Sequence, residues 1–324
     1  MKSQAFVNCR ALIGDTFRDG LAVLVEDGLI AGIVAGEKVP AAGVDVYDLD
    51  GKLLLPGFID AQVNGGGGIL FNDSPDIDGI RAIAKAHCQF GTTGFLPTLI
   101  SDELDVLDRA LLAVEEAIDE GVPGVLGVHI EGPFLNPQRR GVHDRKKLRQ
   151  LTARAMSGLR PVRNGKTVLT LAPEAVEPGF IRNLVEMGFI VCAGHSDASY
   201  EDTIAALEQG LSGFTHLYNA MSQLSAREPG VVGAALDDRD SWCGVIADGH
   251  HVSPVSLRIA VRCKGPGRIM LVSDAMPPVG SSVTRFRLLD KAIEVVDGVC
   301  RDQHGTLAGT ALDMASAVRN MMRL

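Results

Sequence analysis

No stretch of the chain approaches the ~18 uninterrupted apolar residues of a membrane-spanning helix, and residues 1–20 carry several charges where a secretory leader would need an unbroken apolar segment. There is no long basic run either. With 31 Lys and Arg against 40 Asp and Glu and a net charge of −9, a nucleic-acid backbone is a poor partner, although a small anion could be held locally. The six cysteines, at 9, 88, 192, 243, 263 and 300, never form a C-x-x-C pair and mostly sit in apolar surroundings. This excludes a zinc ribbon and argues against a disulfide framework. The expectation is a soluble cytoplasmic protein with reduced thiols.

What is present is 324 residues, 46% of them hydrophobic, enough for one large core or two smaller ones. Between residues 57 and 274 a short apolar run followed by helical periodicity recurs. The runs are GFIDAQV, TGFLPTL, GVLGVHIEG, TVLTLAPE, GFIVCAGHS, SGFTHLYN, WCGVIADG and RIMLVSDA. Helical patterns such as SDELDVLDRALLAVEEAIDEG and YEDTIAALEQG fill most of the gaps, and several end in Gly, a usual helix stop. Continuous apolar strands alternating with helices predict a parallel sheet, and eight units in about 220 residues predict a closed (β/α)8 barrel over residues 56–279. Residues 1–55 read as short strands with Gly turns, and KAIEVVDGVCRDQHGTLAG near the end reads as hairpins. Residues 1–55 and 280–324 are therefore expected to form a small β-sandwich domain built from both chain ends. The chain stops in ALDMASAVRNMMRL, an amphipathic helix with no stop signal after it, so the sequence is expected to be incomplete at its C-terminus.

In a barrel, catalytic groups come from the C-terminal ends of different strands. The last residues of the runs are Gln62 and Asn64, Glu131, His195, His216 and Asp274, with His250 and His251 just past the seventh run. Two imidazoles and a carboxylate, from three different strands, are the ligand types of a hydrolytic divalent metal site. Glu131, His195 and His216 are the candidate ligands, with Asp274 beside them. His129 shares a strand face with Glu131 and is expected behind the ligands or in the core. His87 and His304 are read as structural. The Gly-rich NGGGGIL lacks the Gly-Lys-Ser/Thr ending of a P-loop and is not read as a phosphate cradle.

LPGFIDAQVNG resembles the barrel entry of the amidohydrolase superfamily, and HIEGPFLNP, AGHSDAS, THLYNAM, REPG, ADGHHV and LVSDAM together are similar to the N-acetylglucosamine-6-phosphate deacetylase family. The resemblance spans residues 5–324. It implies one divalent metal per subunit, zinc first, with iron, cobalt or manganese also compatible with the ligand set. Many amidohydrolases carry His-x-His at strand one and a second metal; Gln62 and Asn64 stand there as remnants of that site. The resemblance assigns Asp274 as the proton-transferring carboxylate and His143 as a donor to the acetyl carbonyl, a contribution of about 3–4 kcal/mol. It places the sugar phosphate on Val142, His143, Asn219, Ala220, Arg227 and His251, with Leu307, Ala308 and Gly309 closing over the sugar. Arg227 is expected to act across a homodimer interface. The alternatives are a deacetylase of the galactosamine epimer or another N-acyl amino-sugar phosphate, and, from a different class, a catalytically dead scaffold. The family normally continues past residue 324 with further helix and a final strand pair.

Overall fold

The computed structural model describes residues 3–40 and 42–324. The chain divides into two compact units, Met1–Gly57 and Phe58–Leu324. In the first, Leu29–Ala35, Thr16–Glu26 and Ser3–Ile13 form an antiparallel meander, onto which Asp45–Asp48 and Leu53–Leu54 add in parallel. The turn at Asp27-Gly28 has φ of 49° and 84°. Positive φ at both central residues suits the right-handed strand twist, and Asp-Gly is a sequence that tolerates it.

The second unit contains eight parallel strands: β1 (Phe58–Val63), β2 (Thr92–Ile100), β3 (Gly127–Glu131), β4 (Lys166–Leu171), β5 (Ile190–Ala193), β6 (Gly213–Phe214), β7 (Trp242–Val245) and β8 (Ile269–Leu271). Each pairs with its sequence neighbour, and the bridge Val63–Ala275 brings the first and last together. The eight apolar runs are thus the eight staves of a barrel. Successive residues of β3 explain why: Val128 and Ile130 join the large apolar core, while His129 and Glu131 take the opposite face.

Helices cover the outside. Leu104–Asp119 buries Leu107, Ala110, Leu111, Val114 and Ala117, spaced three or four apart with one adjacent pair, the stripe an amphipathic helix presents to a sheet. Each fully buried Leu or Val contributes roughly 1.5–3 kcal/mol, so Leu111→Ala is the single change most damaging to this contact. Ser199 and Asp202 form a capping box at Tyr200–Glu208, and Asp76 caps Ile77–Cys88. Gly230–Asp237 is a further helix, without a counterpart in the sequence pattern. Its apolar residues run without a polar face, so no periodicity is visible. Among the described residues no helix is long and apolar enough to cross a membrane.

Toward the C-terminus, Arg285–Leu288, Lys291–Val296, Val299–Asp302 and Leu307–Thr310 form an antiparallel sheet within the same unit as the barrel. Its last strand is stitched to the end of β8: the Thr310 N–H donates to the Asp274 carbonyl at 2.9 Å and the Met276 N–H to the Thr310 carbonyl at 2.9 Å. Leu288, Ile293, Cys300 and Ala308 pack with Leu70, Ile100 and Met276 in a second small core at that end of the barrel. The expected terminal helix is Met314–Met322, capped by Asp313.

Candidate metal centre and substrate pocket

Glu131 is the last residue of β3, and His195 and His216 each stand two residues beyond β5 and β6. Both histidines have positive φ, 50° and 36°. Such backbone is costly for a residue with a Cβ and persists only where the surroundings hold it; the Asn136 N–H on the His195 carbonyl (2.9 Å) and the Asn219 N–H on the His216 carbonyl (3.0 Å) do so here. The result is convergence. Glu131 Oε1 lies 3.3 Å from His195 Nε2 and 3.0 Å from His216 Nε2, and the two Nε2 atoms are 3.0 Å apart.

All three side chains are buried. His195 Nδ1 is 2.9 Å from the Arg139 carbonyl, which can only accept, so the ring proton sits on Nδ1 and Nε2 presents a lone pair. Two imidazole nitrogens and a carboxylate oxygen facing one point cannot all be satisfied by the available protons, whereas a cation accepts three lone pairs at once. The donor set fits a divalent metal. Burial alone would push Glu131 up, but the neighbouring imidazoles of His195 and His216 hold its carboxyl well below the usual range. It is a ready anionic ligand.

Asp274 lies just past β8 with φ 51°. Its Oδ1 accepts from Asn64 Nδ2 at 2.6 Å and Gln62 Nε2 at 3.1 Å, while Gln62 Nε2 also reaches Glu131 Oε1 at 3.2 Å. The two amides therefore hold carboxylates in place. Burial, then the charge of Glu131, raise the Asp274 carboxyl to about 7. With Oδ1 occupied, Oδ2 is the atom available for proton exchange.

His143 is buried, and the Ser101 N–H donates to its Nδ1 at 3.3 Å, with Ser101 Oγ at 2.8 Å. An Nδ1 that accepts from a backbone amide carries no proton, so Nε2–H faces Glu131 Oε2, 3.9 Å away. Burial, then the neighbouring His195, lower this imidazole to about 3. His143 is thus a neutral donor at the edge of the cluster. His129 sits beneath, between Thr98 Oγ1 (3.3 Å) and Thr170 Oγ1 (2.8 Å), and burial takes it down to about 4. It is a core residue behind the ligands, as expected from its place on the strand. His87 is also buried and bonds the Gly65 carbonyl at 2.9 Å.

Asn64, Glu131, His143, His195, His216 and Asp274 line a cavity of about 370 Å³ together with Gln138, Arg139, Gly141, Val142, Asn219, Ala220, His251, Thr306, Leu307 and Gly309, a size typical of small-molecule sites. His251 Nδ1–H is fixed by Asp248 Oδ2 at 2.6 Å. Leu307 and Gly309 reach the cavity; Ala308 is fully buried between them and is not among its lining. His250 and Arg227 are exposed and do not line the cavity either. Gln138, Arg139 and Thr306 line it and were not singled out from the sequence. Arg139 sits in QRRG, which reads as a solvated charge run; its distance of four from His143 was the available signal.

The amidohydrolase family model matches residues 53–324. The chain belongs to the amidohydrolase family. It is 48% identical over 299 residues to an N-acetylgalactosamine-6-phosphate deacetylase of Shewanella sp. (strain ANA-3), covering 92% of this chain and 76% of that protein. It is 33% identical to the N-acetylglucosamine-6-phosphate deacetylase of Haemophilus influenzae, covering 98% and 83%. Among solved structures, the N-acetylglucosamine-6-phosphate deacetylase of Pasteurella multocida superposes with a TM-score of 0.94 at 35% identity, over 99% of this chain and 84% of that one.

Proposed function

We propose that the chain hydrolyses the amide of N-acetyl-D-glucosamine 6-phosphate, releasing acetate and D-glucosamine 6-phosphate, as a metal-dependent step of amino-sugar catabolism in the cytoplasm. A second reading, the galactosamine epimer, is favoured by the relative at 48% identity, which carries that name. The observation that carries the reaction class is the meeting of Glu131, His195 and His216 with Asp274 and the neutral Nε2–H of His143 in one cavity.

A divalent ion held by Glu131, His195 and His216, zinc first, would supply Lewis acidity and bring the pKa of water towards roughly 7. Asp274, oriented by Asn64 and Gln62, takes the proton of the attacking water on Oδ2 and returns it to the departing amine. The His143 Nε2–H donates to the carbonyl oxygen as negative charge grows there. Gln62 and Asn64 occupy the place of a second metal's ligands, and their amides donate to the carboxylates instead.

His251, Asn219 and the backbone at Ala220 are assigned to the phosphate, with Val142, Leu307 and Gly309 around the sugar. Arg227, exposed on its own subunit, is assigned to the phosphate of a partner subunit's site, which makes the working form a homodimer. The test of the substrate is acetate release by the purified protein from both epimers. A kcat/KM at least about ten-fold higher for one identifies it, and release from neither by metal-loaded protein would reject the reading.

A further inference from the structure

An anionic substrate needs cationic donors, yet among the described residues Arg139 is the only Arg or Lys among those that line the metal cavity. Its side chain is 37% exposed, and the guanidinium is tethered at one end. Nε donates to Asp197 Oδ1 at 2.8 Å, and among the described residues the two Nη nitrogens have no hydrogen-bond partner. A guanidinium fixed by Nε presents its Nη groups in a set plane, the geometry that grips a phosphate through parallel hydrogen bonds.

Asp197 is itself placed by the loop network. Its backbone N–H donates to Glu174, whose carboxylate also accepts from Asn136 Nδ2 at 2.9 Å and Ser196 Oγ at 2.7 Å. The preceding residue pairs with the opposite loop: the Ser196 N–H donates to the Ala220 carbonyl and the Ser222 N–H to the Ser196 carbonyl, both at 3.0 Å. The anchor of Arg139 therefore flanks the segment carrying Asn219 and Ala220. The same residue supplies the carbonyl that fixes the His195 tautomer.

We infer that Arg139, positioned by Asp197, is a phosphate-binding residue supplied by the same subunit that holds the metal ligands. The inference rests on the deacetylase reading, and its chemistry is an anion grip: the Nη groups donate to the 6-phosphate while the backbone carbonyl of the same residue keeps His195 in its metal-binding tautomer. Substrate capture and ligand orientation are thereby joined in one loop.

The test is Arg139→Met, which removes the charge and keeps the backbone carbonyl. It is expected to raise KM for the 6-phosphate sugar roughly 10- to 100-fold, with kcat and bound metal within about three-fold of wild type. The same sugar without its phosphate should lose no more than about three-fold in kcat/KM. Arg139→Lys should fall between, because an ammonium cannot offer the fork, and Asp197→Asn should share part of the loss. Calorimetric binding of glucosamine 6-phosphate to the metal-loaded protein reads the contact without turnover and should weaken in parallel. Equal losses on both sugars, or unchanged product binding in Arg139→Met, would overturn the inference. Absence of acetate release by the wild type would instead count against the deacetylase reading.

Discussion

Asp274 is the residue on which the chemistry turns, because it combines two amide donors on one oxygen with a proton affinity near neutrality. Asp274→Asn keeps the shape and removes the exchangeable proton, so turnover is expected to fall by roughly 10²–10⁴-fold while metal and product binding persist. Full activity in that variant would remove Asp274 from its role. The raised carboxyl also has a consequence for stability without metal. Between the ordinary carboxylate value of 3.8 and about 7, the folded metal-free protein holds a proton that the unfolded chain has released, so its stability falls as pH rises through that window. Asp274→Asn lacks this dependence. Thermal unfolding of both chelated proteins at pH 5 and pH 8 should show wild type losing on the order of 2 kcal/mol relative to the variant; parallel behaviour would contradict the assignment.

At the scale of elements, the loop after β1 shows why NGGGG is not a phosphate cradle. Gly65–Gly66 pairs with Ile69–Leu70 as a tight hairpin, turned by Gly67 and Gly68 at φ 62° and 85°. A Cβ on Gly66 would lie 2.9 Å from the His87 ring, so the glycine lets a helix side chain support the loop from below. Asn64, at its start, donates its own N–H to the Ala275 carbonyl and its side chain to Asp274. Gly66→Ala should therefore cost about 1–3 kcal/mol of stability and lower kcat by displacing Asn64. Thermal unfolding with metal bound measures the first and single-turnover acetate release the second. An unchanged kcat would separate the loop from the catalytic carboxylate.

Legibility followed the same physics. Strands buried on both faces, such as VLGVHI, read as continuous apolar runs, and polar groups at their ends stood out as anomalies; Glu131, His195, His216 and Asp274 were visible for that reason. Gln62 and Asn64 stood at the right place, but that neutral amides would act as donors to two carboxylates needs the three-dimensional register. Arg139 hid in a run of charges. The helix Gly230–Asp237 has no polar face to mark its period.

For the molecule as a whole, a net charge of −9 and an anionic substrate are compatible only if cations are local to the site. Two are assigned to the phosphate, Arg139 from the same subunit and Arg227 from a partner. Arg227→Ala should raise KM for the phosphorylated sugar about ten-fold or more and leave the unphosphorylated one little changed. If Arg227 acts across an interface, mixing Arg227→Ala with Asp274→Asn subunits should restore activity, because one site of the heterodimer then has both groups. No restoration after verified subunit exchange would place Arg227 on its own subunit's site or outside the chemistry.

Hydrolysis is assigned to a single metal held by Glu131, His195 and His216. It is tested most directly by acetate release from the two N-acetylhexosamine 6-phosphates after chelation and readdition of single divalent metals, with bound metal counted in parallel. Activity should be lost on chelation and restored at one ion per chain, with neither restoration nor tight binding in Glu131→Gln. Full turnover by the chelated protein, or by metal-free Glu131→Gln, would contradict it.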